Sequence, residues 1–124
     1  MATVSPEIDL TRMAPAILDG ARAAITVFDL EGRLLYYNHH APQIVDRKPE
    51  YIGRDIRSCH SQPRSVERFT AILESYQAGK GQEFYYTATR NGRKLSVKVA
   101  PLIQEGRVVG GVHTVMALEP TPEL

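Results

Sequence analysis

A chain of 124 residues with 15 basic and 14 acidic side chains, net +1, holds one domain and lacks the basic excess of a nucleic-acid-binding surface. Apolar residues at 43% and charged residues at 23% suit a packed core and exclude disorder. No apolar run approaches the roughly 18–20 residues that cross a bilayer, and the single cysteine, Cys59, excludes an intrachain disulfide or a multi-cysteine metal site.

Residues 5–20 predict an amphipathic helix. The Ser5 hydroxyl suits the N-cap, Pro6 the first helical position and Glu7 the positive helix end. Leu10, Met13, Ala14, Ile17, Leu18 and Ala21 form one apolar stripe at helical spacing. Pro15 predicts a kink or two short helices, and Asp19-Gly20 a stop. The opposite face carries Asp9, Thr11, Arg12 and Asp19, which is not the basic face of a membrane-surface helix.

Residues 24–38 read as a hairpin. Ala24 to Phe28 is rich in β-branched and aromatic residues, Asp29 to Gly32 is a turn, and Arg33 to Asn38 returns. Pro42, Pro49, Gly53 and Pro63 break up the next stretch, so short helical turns are expected near 41–45 and 54–58. Residues 65–78 predict the clearest helix, capped by Ser65, buried along Val66, Phe69, Ile72, Leu73 and Tyr76, and ended by Gly79. Three strands follow, over 83–89, 94–102 and 108–118, with Asn91-Gly92 as a tight turn and 104–107 as another. The last strand is nearly all apolar, which predicts cover on both faces. The arrangement is an α+β domain, a five-stranded antiparallel sheet with helices on one face and an N-terminal amphipathic helix. Residues 120–124 form a polar, Pro-rich tail.

Three marks in this order resemble a PAS domain over about residues 16–118. They are the hairpin Ile25 to Asn38 with its Asp29, Gly32 turn and final Asn38; Ile52-Gly53-Arg54-Asp55; and Asn91-Gly92 through Pro101 to Gly110-Gly111-Val112. The segment Gly53-Arg54-Asp55-Ile56-Arg57-Ser58-Cys59-His60 is further similar to the PAS subtype often joined to hemerythrin-like domains, although Pro63 is displaced from the position after His60. The resemblance implies three parts: residues 1–22 as a helical cap or dimerisation segment, 23–119 as a PAS sensor domain, and the tail. It also implies a pocket between the long helix and the inner sheet face, lined by Phe69, Leu73, Phe84, Tyr86, Val97, Val99 and Val112. Those side chains serve equally as plain core.

Cys59-His60 is the most informative dipeptide. Some haem-binding PAS domains take their axial histidine from the segment just before the long helix, where His60 stands, so the resemblance implies haem b through His60. Cys59 is an alternative ligand that cannot readily face the same iron, since helical neighbours diverge by about 100°. The competing reading makes His60 a loop-stabilising group and Cys59 a small buried apolar one. The long helix contains no histidine and Ile56 occupies the place of a photoreactive cysteine, which excludes two other cofactor arrangements of the family. His113 is a distal group or second ligand if it faces inward; the outward, structural placement is the expected one. His39-His40 reads as solvent-facing loop. Cys59 would be a redox switch only as an exposed thiol of low pKa, for which Arg54, Arg57 or Arg64 offer nearby charge. No catalytic motif is present, so an enzyme is not expected.

The expected function is a cytoplasmic sensory module that binds a small ligand or cofactor, with haem for gas or redox sensing as the sharper form. It is expected to act as a homodimer and to signal to a separate protein or effector domain. The alternative is a cofactor-free dimerisation or protein-interaction module. Cytoplasmic placement follows from the lone thiol and the missing signal-peptide pattern.

Overall fold

Short runs of β-branched and aromatic residues, closed by tight turns, become five strands. These are Ala24–Asp29 (β1), Leu34–Tyr37 (β2), Phe84–Arg90 (β3), Arg93–Gln104 (β4) and Arg107–Ala117 (β5). The structure, a computed structural model, describes residues 9–60 and 62–118. All neighbouring strands are antiparallel, in the order β2-β1-β5-β4-β3. The last strand in sequence is thus central in space, paired with β1 on one side and β4 on the other. Its inner face is buried, whereas its outer face is only half-buried and Met116 is 53% exposed, so the expectation of cover on both faces is corrected.

The turn at Asn91-Gly92 puts both central residues at positive φ, 54° and 77°. That left-handed pair matches the natural strand twist. Glu105 and Gly106 repeat it at 51° and 76°. Residues 53–56 run along the outer edge of β2: Gly53 N–H donates to the Leu34 carbonyl, Leu34 N–H to that of Arg54, and Ile56 N–H to that of Gly32. This covers an edge that would otherwise be open to strand addition.

Leu10–Gly20 is one uninterrupted helix, α1, that includes Pro15, rather than two short ones. Its cap is Asp9, whose carboxylate accepts from the Arg12 N–H at 3.2 Å; Ser5, Pro6 and Glu7 lie outside the described residues, as does the tail. The long helix, α2, is Pro63–Gln77. It begins two residues before the expected start because Pro63 takes the first helical position after Gln62. Ser65 therefore lies in the first turn and is not the cap. Short 3-10 turns occupy Ala41–Gln43, Pro49–Tyr51 and Ile56–Cys59; the middle one was not anticipated.

The core lies between α2 and the inner sheet face, where Phe69, Ile72, Leu73 and Tyr76 meet Phe28, Val97 and Val99. Phe28 and Phe69 pack edge to face, with centroids 4.9 Å apart. Such a pair adds about 0.5–1.5 kcal/mol beyond its buried area. Asn38, 1% exposed, ties α1 to the sheet. Its Nδ2 donates to the carbonyls of Leu18 and Ala23 at 2.9 and 2.8 Å, and its Oδ1 accepts from the Ile25 N–H at 3.0 Å.

Candidate ligand-binding site

Strand alternation aims Leu95 and Val97 of β4, and His113 and Val115 of β5, at the same side of the sheet. Facing them are the first turns of α2 and the irregular segments that carry Val45 to Arg47 and Cys59-His60. Between these walls is a cavity of about 480 Å³, within the roughly 300–1,000 Å³ range of small-molecule sites.

Arg47 lies in its wall and is 6% exposed. Its Nε donates to Oγ1 of Thr26 on β1 at 3.0 Å, and its Nη1 to the carbonyl of Asp46 at 2.8 Å. Both acceptors are neutral, and Nη2 has no partner. Burial lowers the Arg47 pKa, but a guanidinium stays charged in a protein. The attraction of Asp46 opposes that burial only in part and without a hydrogen bond to Nη2, and a buried charge so incompletely compensated is disfavoured.

His113 sits directly opposite Thr26 in the β1–β5 register, so it and Arg47 flank the same threonine. It is 4% exposed, and its Nδ1 is unpartnered. Burial, followed by the charges of Arg47 and His60, pushes its pKa down to about 3. The ring is therefore neutral at physiological pH. This inward placement corrects the outward one expected from the sequence: in an almost wholly apolar strand, which face a given residue takes cannot be read from hydropathy.

His60 completes the group. A carbonyl oxygen only accepts, so Nδ1 donates to the Ile56 carbonyl, at 3.0 Å, and Nε2 keeps the lone pair. Burial holds its pKa below the ordinary histidine value, with the Ile56 bond opposing and Arg47 reinforcing. The Phe69 ring lies 5.8 Å from that of His60 and 6.3 Å from that of His113. Cys59 is half-buried. Burial raises its pKa, an effect that Arg47 only partly offsets, so it rests as a thiol. The low-pKa switch is not supported: burial outweighs the attraction of Arg47 and Arg54, and Arg57 is bound to Asp55 by two charged contacts.

Arg64, Arg68 and Arg90 add positive charge around the cavity, with the Arg68 guanidinium 4.0 Å above the Tyr86 ring. The acidic lining residue is Asp46, whose carboxylate accepts from the Tyr51 hydroxyl at 3.2 Å. Gln62 and Ser65 bring the positive end of α2 to the same wall. The field inside therefore favours a negative group. Among the described residues, no group of three or more His, Cys, Asp or Glu side chains is placed to hold a metal ion.

Of the residues singled out from the sequence, Cys59, His60, Tyr86, Val97 and His113 come together in the cavity lining. Phe69, Leu73 and Val99 are buried in the core behind it. Phe84 packs instead against the Tyr76 ring, centroids 6.1 Å apart. Val112 is corrected outright: as the neighbour of inward-facing His113 it projects to the outer face. Arg47 was missed. It lies in a Pro-punctuated stretch without periodicity, next to an aspartate, where an arginine reads as surface. For haem, the His60 ring is held as an axial ligand would be, with one nitrogen bonded and the other free of the backbone.

A family model described as a PAS domain matches residues 15–118. Among solved structures, a C-terminal domain from Streptococcus mutans superposes with a TM-score of 0.74 at 20% identity, covering 96% of this chain and 92% of that one. A PAS domain from Colwellia psychrerythraea gives 0.67 at 17% identity, covering 89% and 98%. A sensory box sensor histidine kinase structure from Vibrio cholerae gives 0.61 at 12% identity, covering 90% and 93%. At these identities the likeness is one of fold. No curated protein sequence matches the chain.

Proposed function

Because the chain belongs to the PAS domain family, we propose that it is a sensory module that holds a small ligand in the cavity beside α2 and passes occupancy on by protein contact. The observation that carries this reading is the pairing of Arg47 and His113 in the cavity wall, each buried with a nitrogen left unpartnered. A core evolved for packing alone has no use for such a pair. Membership of a family whose neighbours include a sensor histidine kinase structure supports a signalling role. The raised pKa of Cys59 favours a binding role over catalysis.

The output is a homodimer, formed through the exposed apolar side chains of α1 and the outer sheet face, that acts on a separate effector protein or domain. Ile17 at 50% and Met116 at 53% exposure support that surface. The Gly53-Arg54-Asp55…Cys59-His60 pattern points to the subtype joined to hemerythrin-like domains, which would supply such a partner. Its free thiol suits the cytoplasm, and no helix among the described residues is long and apolar enough to cross a membrane. Haem b is the second reading of the ligand, favoured by the ring of His60; bound there it would supply gas or redox sensitivity.

The test is an ultraviolet–visible spectrum and a native mass spectrum of the purified protein, followed by haemin titration. A co-purified small molecule without visible absorbance supports the principal reading, and a saturable Soret band that His60→Ala abolishes supports haem. A colourless protein of bare mass that gains no thermal stability from any compound of a small-molecule library would leave a cofactor-free dimerisation module.

A further inference from the structure

Three observations on the cavity narrow its ligand. Its wall holds a guanidinium whose partners are all neutral. Beside that charge, across Thr26, is an imidazole with a free Nδ1. The sheet side of the lining also carries an aliphatic stretch, Leu95, Val97 and Val115. A site for an amine would not contain a buried arginine, and the aliphatic side chains of Leu95, Val97 and Val115 suit an organic anion better than inorganic phosphate.

We propose that the cavity takes a small organic carboxylate, its head bound by Nη2 of Arg47 and Nδ1 of His113 and its hydrocarbon body laid against Leu95, Val97 and Val115. This rests on the ligand-binding reading above and names the chemical class. The carboxylate adds a hydrogen-bonded counter-charge where Arg47 has only the through-space attraction of Asp46, and accepts the hydrogen bond that Nη2 has available. His113 joins as the tautomer with hydrogen on Nδ1, which donates to the second oxygen. Arg64, Arg68 and Arg90 attract the anion toward the cavity.

The experiment compares the full chain with Arg47→Met by isothermal titration and thermal shift, using hexanoate, hexylammonium and acetate. Hexylammonium keeps the body and reverses the charge; acetate keeps the head and removes the body. The expected result is saturable binding of hexanoate, weaker binding of acetate and none of hexylammonium, with Arg47→Met weakening hexanoate about 10- to 100-fold, the range for a hydrogen bond to a charged group. Circular dichroism establishes that the variant is folded; should it not be, Arg47→Gln and His113→Leu take its place. Equal binding of hexanoate and hexylammonium, or hexanoate binding unchanged in a folded Arg47 variant, would overturn the carboxylate assignment while leaving a ligand site standing. So would haemin that saturates at one equivalent and that hexanoate does not displace. Absence of any bound or stabilising compound, by native mass spectrometry and a library screen, would instead overturn the ligand-binding reading itself.

Discussion

Thr26 and Arg47 are 21 positions apart, yet the Arg47 Nε donates to the Thr26 Oγ1 at 3.0 Å in a fully buried setting. The hydroxyl is the only side-chain acceptor given to this guanidinium among the described residues. Thr26→Val keeps the shape and removes the acceptor, so a loss of about 1.5–3 kcal/mol is expected in urea denaturation. Arg47→Met removes a buried charge that Asp46 only partly compensates and is expected to be neutral or stabilising in ligand-free protein. The double variant should then recover most of the Thr26→Val loss. Strict additivity of the two changes would show that the bond contributes nothing.

His113 makes stability depend on pH. Its pKa is about 3 when folded, against about 6.5 for an exposed histidine. Between those values the unfolded chain binds a proton that the folded chain refuses, so stability is complete above pH 6.5 and falls as pH drops toward 3. The slope approaches about 1.4 kcal/mol per pH unit from this residue alone. His60, also held low, adds in the same direction, and Arg47, which faces both rings, reinforces each shift. Denaturation midpoints for wild type and His113→Gln between pH 4.5 and 7.5 should diverge by one proton's worth of slope. Parallel curves would mean that His113 titrates normally in the folded protein.

Gly111 marks where Phe28 enters the sheet. A Cβ at Gly111 would collide with the Phe28 ring, and one at Gly110 with the Phe28 carbonyl oxygen. Phe28 is fully buried and anchors both Phe69 and Tyr76, 4.9 and 6.4 Å away by ring centroid. Gly111→Ala should therefore cost about 1–3 kcal/mol through overpacking, lowering the melting temperature. Phe28→Leu frees space at the ring position, so the double variant should be more stable than the sum of the single losses allows. Full additivity would count against this contact as the cause.

The same strand illustrates what hydropathy reveals and what it hides. Its place in an antiparallel sheet followed from β-branched runs and from the turn at 104–107, where Glu105 and Gly106 take positive φ. Residues 108–118 contain so few polar side chains that the inward parity of His113 and the outward parity of Val112 had no contrast to reveal them. His60 and Cys59 were found because they are rare residue types at a recognisable place before α2. Arg47 could not be found that way. Arg47 from the irregular stretch, Arg64 and Arg68 from α2 and Arg90 from β3 reach the cavity from three segments, and a net charge of +1 gives no sign that they converge.

Asn38 joins α1 to the domain, and its replacement should be felt in both. Its side chain receives one backbone N–H and donates to two carbonyls, all at 2.8–3.0 Å. Asn38→Ala strands three backbone groups, for an expected loss of about 2–4 kcal/mol. Asn38→Asp should be as damaging, because it turns an oxygen toward two carbonyl oxygens. Hydrogen exchange should quicken over Leu10–Gly20 before it does over α2. Unchanged exchange in α1 would show that the helix is held by other contacts.

The exposed side of α1 carries the last prediction. Met13 is 36% exposed and Ile17 50%, on a helix whose far end is fixed to the sheet by Asn38 and by the Asp19 carboxylate, which accepts the His39 N–H at 2.7 Å. Met116 and Leu118, each 53% exposed, are further apolar side chains open to solvent, on β5 and the residue after it. Burying an isoleucine side chain is worth about 1.5–3 kcal/mol, and in a two-fold dimer each substitution acts twice. Ile17→Asp should therefore convert a dimer to a monomer at micromolar concentration in light scattering, while circular dichroism shows the chain still folded, since half of the side chain already faces solvent. Met116→Lys should act in the same direction. A wild-type mass of one chain at every concentration would refute the homodimer; a dimer that survives both substitutions would place its interface elsewhere.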